Sequence, residues 1–195
     1  MKTWNRTPWQ RFGRFVVGAV LSAVLCRLLN SEIQNLIYSF LVSGMVFGLS
    51  LVWARGYNKG ILRAILLVLG SSINFTLAYL LVKYGPDEMM FAVIILAIPP
   101  VAIGEMSKTL LGIGSPSPLA LWTGGFTGIG IAVIICLVNY YDEPQFFYGG
   151  NGLSIFFLCW QIGVGAMFSK ETAQDKERKA LMTDGLIDQI GKDKT

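Results

Sequence analysis

The sequence predicts an all-α integral membrane protein, built as a bundle of six membrane-spanning helices. Three observations favour this class. Of the 195 residues, 53% are hydrophobic and only 14% are charged, whereas a soluble domain usually carries about 25% charged residues. The mean hydropathy is +0.56. The apolar residues also fall into long runs with almost no charge, which are typical of helices that cross a hydrocarbon core.

Six apolar segments follow one another along the chain, and each is close to the length of about 20 residues that a bilayer core requires. They are Phe12–Leu29, Leu36–Ala54, Ile61–Val82, Met89–Gly104, Leu119–Val138 and Leu153–Phe168. We therefore expect a single six-helix transmembrane domain over residues 1–168, followed by a charged cytoplasmic tail over residues 169–195.

The basic residues predict the orientation of these segments. Fourteen of the sixteen lysines and arginines lie before or at the start of the first segment, between the second segment and the start of the third, between the fourth and fifth, or after the sixth. Only Arg27 and Lys83 lie on the opposite side. Because cytoplasmic loops carry an excess of Lys and Arg, we expect both termini in the cytoplasm and a cytoplasmic-type membrane.

Small residues collect on one face of several segments. Because such residues let two helix backbones approach closely, these faces are predicted to be contacts between helices. The predicted packing positions are Gly18, Ala19 and Ala23 in the first segment, Gly44 and Gly48 in the second, and Gly124 and Gly128 in the fifth.

Two side-chain amides, Asn74 and Gln161, lie within apolar segments. An amide in hydrocarbon has to find hydrogen-bond partners, so both are expected to face the interior of the bundle. They either hold helices together or line a path for a solute or an ion, and the sequence leaves both interpretations open.

The fourth segment contains two consecutive prolines, Pro99 and Pro100, followed by Glu105 and Lys108. Proline lacks the backbone N–H and its ring clashes with the preceding turn, so we expect this helix to be broken or kinked. One interpretation is a helix that ends at the prolines and continues as an ordinary cytoplasmic loop. The other is a broken element whose free backbone groups face a cavity, with Glu105 at its mouth and Lys108 close enough to pair with it.

Several kinds of function are disfavoured by what the sequence lacks. There is no histidine, and Cys26, Cys136 and Cys159 do not have the spacing of metal ligands. No Asp or Glu lies at the centre of a segment, so an intramembrane enzyme has no acid or base to use. We expect no enzymatic activity, no cofactor and no nucleic-acid partner.

The remaining hypotheses both belong to the lipid bilayer. The first is a transporter or channel for a small solute or ion, which would use the proline-broken fourth helix. The alternative is a non-transporting structural or accessory subunit, which would pack against other membrane subunits or against another copy of the chain. A polar cavity near the prolines and the two amides favours the first hypothesis, and a solid core with a groove of small residues favours the second.

Overall fold

The structure, a computed structural model, describes residues 7–33, 36–55, 60–86, 89–111, 114–142 and 151–170. These residues form the helices α1 (Pro8–Ile33), α2 (Leu36–Arg55), α3 (Ile61–Tyr84), α4 (Met89–Leu111), α5 (Pro118–Asp142) and α6 (Asn151–Ser169). The described residues contain no β-strand, so the all-α prediction is confirmed. The predicted tail, from residue 171 onward, lies outside the described residues.

The membrane prediction is confirmed by the length and composition of these helices. Each of α1 to α5 contains an apolar stretch long enough to cross a membrane. The apolar part of α6, Ser154–Ser169, is shorter.

Two helices begin with the same local chemistry, a hydroxyl residue followed directly by proline. Thr7 precedes α1, where its hydroxyl accepts a hydrogen bond from the Gln10 N–H and the Gln10 amide oxygen accepts one from the Thr7 N–H. Ser117 precedes α5 and accepts a hydrogen bond from the Ala120 N–H. These caps satisfy N–H groups that have no partner within the helix, and proline has no N–H to satisfy at the first helical position.

The six helices are arranged as a closed ring in chain order. Each helix packs against its neighbours in the sequence, α6 packs against α1, and α2 also contacts α6. The contact between α4 and α5 is the least extensive of those between neighbours around the ring. The connections are short, so consecutive helices lie side by side.

Glycines mark the closest approaches between neighbouring helices. A Cβ atom at Gly44 would lie 2.7 Å from the Ser71 carbonyl oxygen, and one at Gly48 would lie 2.9 Å from the Val68 Cα, both on α3. The same holds between α5 and α6. There, a Cβ atom at Gly124 would lie 2.7 Å from the Gly163 carbonyl oxygen, and one at Gly128 would lie 2.6 Å from that of Cys159.

Helix α1 has one face toward protein and one away from it. Gly18, Ala19, Ser22 and Cys26 are buried, and Ala23 is half-buried. A Cβ atom at Gly18 would overlap the side chain of Ser50 on α2. The opposite face consists of exposed branched side chains, namely Val17, Val20, Leu21, Val24 and Leu28.

Aromatic rings fill the centre of the bundle. The buried rings are Phe15, Phe40, Phe47, Phe75, Phe157, Trp160 and Phe168. Trp160 on α6 meets Phe75 on α3 edge to face, with ring centroids 4.9 Å apart, and lies 5.7 Å from Phe47 on α2. Such edge-to-face pairs are favourable beyond the area that they bury. The interior is therefore solid where these helices meet.

The fourth helix departs from the expectation of a break. Pro99 and Pro100 lie inside α4, and the backbone stays helical from Met89 to Leu111, so the helix neither ends nor breaks at the prolines. The fixed φ of proline, near −65°, is itself helical, and the ring can be accommodated where neighbouring helices support it. Both prolines are buried. A kink at this position stays a prediction.

The α5–α6 contact gives a direct test of glycine packing. We predict that Gly128→Ala destabilises the protein by about 1–3 kcal/mol, because its Cβ would force the backbones of α5 and α6 apart. Gly130→Ala, two residues further along α5, is the matched control, because a Cβ there meets nothing within 4 Å. The measurement is reversible unfolding of both variants in detergent micelles. Equal stabilities would contradict the prediction.

Candidate functional site

A buried polar cluster lies where α1, α2 and α6 meet. It consists of Ser22 and Cys26 on α1, Ser39 and Ser43 on α2, and Gln161 on α6. All five side chains are at most 1% exposed. Each pair on α1 and α2 is separated by four residues, which places both members on one face of the helix. We call these five residues the polar cluster.

Hydrogen bonds connect the polar cluster across the three helices. The Gln161 side-chain N–H groups are donated to the Ser22 hydroxyl at 2.9 Å and to the Ser43 carbonyl at 3.3 Å. The Ser22 hydroxyl donates to the Ser43 hydroxyl at 3.0 Å, and that hydroxyl lies 2.9 Å from the Cys26 sulfur. Both N–H groups of one amide therefore tie α6 to α1 and α2.

The polar cluster consists of hydroxyl, thiol and amide groups and contains no charged side chain. Activation of a serine or cysteine nucleophile requires a neighbouring base, and the cluster contains neither a carboxylate nor a histidine. No group of three or more metal-ligating side chains is found in the part of the chain that the structure describes. The Gln161 amide oxygen and the Ser39 hydroxyl are the cluster's side-chain oxygens without a hydrogen-bond partner among the described residues.

The second amide, Asn74, lies at a different interface. Its N–H groups are donated to the Gly70 carbonyl at 2.8 Å, one turn earlier on α3, and to the Met106 sulfur on α4 at 3.4 Å. Asn74 and Gln161 share none of these partners. The rings of Phe75 and Trp160, which follow Asn74 and precede Gln161 in the sequence, pack together. The two amides therefore belong to different helix contacts, Asn74 to that of α3 with α4 and Gln161 to that of α6 with α1 and α2.

Glu105 and Lys108 form the ion pair that their spacing predicts. The Lys108 Nζ lies 2.6 Å from the Glu105 Oε1, and the two side chains are 41% and 56% exposed, respectively. A pair this exposed contributes little to stability, because solvent screens it. Neither residue lines the two cavities described next.

Two cavities lie between the described helices. The first has a volume of about 10 Å³ and is lined by Phe40, Phe75, Ala78, Leu96, Pro99, Phe156, Phe157 and Trp160. The second, about 420 Å³, is an open groove lined by Leu36, Ala132, Val133, Cys136, Leu137, Gly152 and Phe156. We call the second cavity the apolar groove. It lies where α5 ends and α6 begins.

Sequence reasoning treated Arg55 only as a marker of orientation, yet it connects three parts of the fold. Its guanidinium is buried at the end of α2. It donates hydrogen bonds to the carbonyls of Phe168 and Lys170, at 3.0 and 3.1 Å, and to that of Gly114. A cation there also meets the negative end of the α6 dipole. The sequence does not reveal this role, because an arginine at the end of an apolar run is equally compatible with an exposed side chain.

Replacing the Gln161 amide tests whether the polar cluster holds α6 to α1 and α2. We predict that Gln161→Met destabilises the protein by about 1 kcal/mol, because two interhelical hydrogen bonds of about 0.6 kcal/mol each are lost with little change in volume. Leu158→Met, on the same helix and half-buried, is the control. Unfolding in detergent measures both. A Gln161→Met variant as stable as the control would show that the amide holds nothing together.

No family model, no curated protein and no solved structure matches this chain. An inference about its function therefore rests on the geometry of its own residues.

Proposed function

We propose that the chain crosses the membrane six times, with a kinked fourth helix and with both termini on the cytoplasmic side. The sixth crossing is supported by the length of α6, whose 19 residues span roughly 28 Å at about 1.5 Å each. That is close to the thickness of a hydrocarbon core. The orientation is supported by the distribution of Lys and Arg along the sequence.

Cysteine labelling tests this topology. In a background where the three native cysteines are replaced, cysteines at Ser117 and Lys170 should resist an impermeant thiol reagent in intact cells. A cysteine at Pro86 should react. All three positions are exposed. Labelling at Lys170 together with protection at Ser117 would mean that α6 does not cross, and would contradict the six-span proposal.

We further propose that the protein is a non-transporting subunit of a membrane complex. The observation that carries this proposal is the solid aromatic centre of the bundle. A solute passing the two prolines would have to separate Phe75 from Trp160, whose rings pack 4.9 Å apart. The space beside Pro99 is only about 10 Å³. Neither this small cavity nor the apolar groove is lined by Asn74 or Gln161.

The apolar groove supplies a surface for the partner. Small side chains at Ala132, Cys136 and Gly152 form part of its lining, and small residues let a second helix approach closely within a membrane. The lining is almost wholly apolar, so the occupant is apolar too. We therefore assign the groove to a transmembrane helix of the partner protein.

Photo-crosslinking from two positions on α5 tests this assignment. Leu137 lines the apolar groove and is 53% exposed, and Ile134, one turn earlier, is 63% exposed and does not line it. A photoreactive amino acid at residue 137 should give a discrete crosslinked protein, identified by mass spectrometry in the native membrane. The same amino acid at residue 134 should give only lipid adducts.

A bulky substitution completes the experiment. Leu137→Trp should abolish copurification of the crosslinked protein in mild detergent, while Ile134→Trp should preserve it. Both variants should remain monodisperse, because both side chains already face outward. Lipid adducts alone from residue 137, or copurification that survives Leu137→Trp, would contradict the groove as the partner's site. Solute flux through the purified chain in liposomes would contradict the non-transporting role itself.

A further inference from the structure

The guanidinium of Arg14 on α1 is held in place by a single residue of α2. Its Nη1 donates a hydrogen bond to the Trp53 carbonyl at 2.6 Å, and its Cζ lies 5.0 Å from the centre of the Trp53 ring. The Arg14 side chain is half-buried. The carbonyl and the ring therefore fix the guanidinium against α2, while its other N–H donors have no partner among the described residues.

No carboxylate among the described side chains is available to Arg14. Glu105 is the one Asp or Glu whose side chain the structure describes, and its Oε1 accepts a hydrogen bond from the Lys108 Nζ. Glu105 lies on α4, which is not a neighbour of α1 in the ring of helices. A fixed positive charge without an acidic partner attracts anions from outside the protein.

Arg14 and Trp53 lie where the bundle meets the headgroups of the membrane. Helix α1 begins at Pro8 and α2 ends at Arg55, so both residues are close to a helix terminus on the same side of the bundle. Tryptophan favours this level, because its ring has an apolar body and a polar edge. In the topology proposed above, this side is cytoplasmic, and the cytoplasmic leaflet is the one that carries anionic phospholipids.

An exposed apolar surface continues from this pair toward the centre of the membrane. Val17 and Leu21 follow Arg14 at helical spacing on α1 and are 55% and 51% exposed. Leu49, one turn from Trp53 on α2, is 54% exposed. A phospholipid whose phosphate meets Arg14 can lay its acyl chains on these side chains, which are of no use to a free phosphate ion. The lipid is therefore the better match to the whole surface.

We propose that Arg14 and Trp53 form a binding site for the phosphate of an anionic glycerophospholipid. The remaining N–H groups of Arg14 donate to two phosphate oxygens, in the bidentate geometry that a guanidinium favours. Because Trp53 already holds the guanidinium in one orientation, little side-chain freedom is lost when the lipid binds. A zwitterionic lipid carries a cation beside its phosphate, so its attraction to Arg14 is weaker.

Native mass spectrometry of the whole chain in detergent tests the proposal. Phosphatidylglycerol and phosphatidylcholine are added in equal amounts, and the chain should retain one molecule of phosphatidylglycerol in preference. Arg14→Gln should weaken this binding about tenfold, because charge-assisted hydrogen bonds are lost. Arg27→Gln is the control, since it removes the same charge from an exposed position near the other end of α1 and should preserve the binding.

Two tryptophan variants test the orienting role of the ring. Trp53→Leu keeps the charge of Arg14 and the backbone carbonyl but removes the ring, so it should weaken phosphatidylglycerol binding about threefold. Trp9→Leu makes the same change at a tryptophan near the start of α1 that is 81% exposed, and it should leave the binding unchanged. If Arg14→Gln does not fold, this pair of variants carries the test.

Three results would overturn the proposal. Equal retention of the two lipids would show that the site does not select an anionic headgroup. Equal losses in Arg14→Gln and Arg27→Gln, or in Trp53→Leu and Trp9→Leu, would show that binding depends on net charge or on interfacial rings in general. A large excess of inorganic phosphate should leave the lipid bound, and its displacement would show that the site takes a free anion and not a lipid.

Discussion

The structure depends on close contact between helix backbones, because helices in hydrocarbon gain nothing from hiding apolar side chains from lipid. What remains is dispersion between well-fitted surfaces and a few interhelical hydrogen bonds. The glycines at 44, 48, 124 and 128 bring α2 onto α3 and α5 onto α6 at distances that no other residue permits. These two tight pairs, joined through α1 and α4, leave a central space of fixed size, which the aromatic rings fill.

The sequence predicts this arrangement well where the physical rule is local. Helix positions follow from the length of each apolar run, and the faces of α1 follow from the helical repeat. Gly18 and Ala19 are buried while Val17 and Val20 are exposed. Small residues allow close contact with another helix, and branched apolar side chains lose nothing by facing lipid. The pairing of Glu105 with Lys108 follows equally from a spacing of three residues on one helix.

The candidate site is predicted less well, because its geometry depends on which helices become neighbours. The sequence predicts that Asn74 and Gln161 face the interior and leaves open whether they hold helices together or line a path. In the structure one amide bonds its own helix and α4, and the other bonds α1 and α2. An amide's need for a partner is evident from the sequence, but the identity of that partner is not. The same limit applies to Arg55. Its carbonyl partners lie more than fifty residues away, and no local pattern connects them.

The two prolines illustrate how a local rule and its tertiary context combine. Locally, Pro99 and Pro100 remove two hydrogen bonds from α4, which is the basis for expecting a break. The backbone nevertheless stays helical, because the proline φ suits a helix and both rings are packed against protein. The prolines thus leave carbonyls of α4 without their usual N–H donors, but they do not break the helix. In a membrane, such carbonyls have to be satisfied within the protein. It follows that residues facing the proline pair, above all Trp160 and Gly125, belong to the same structural unit as the prolines themselves, although they lie on α6 and α5.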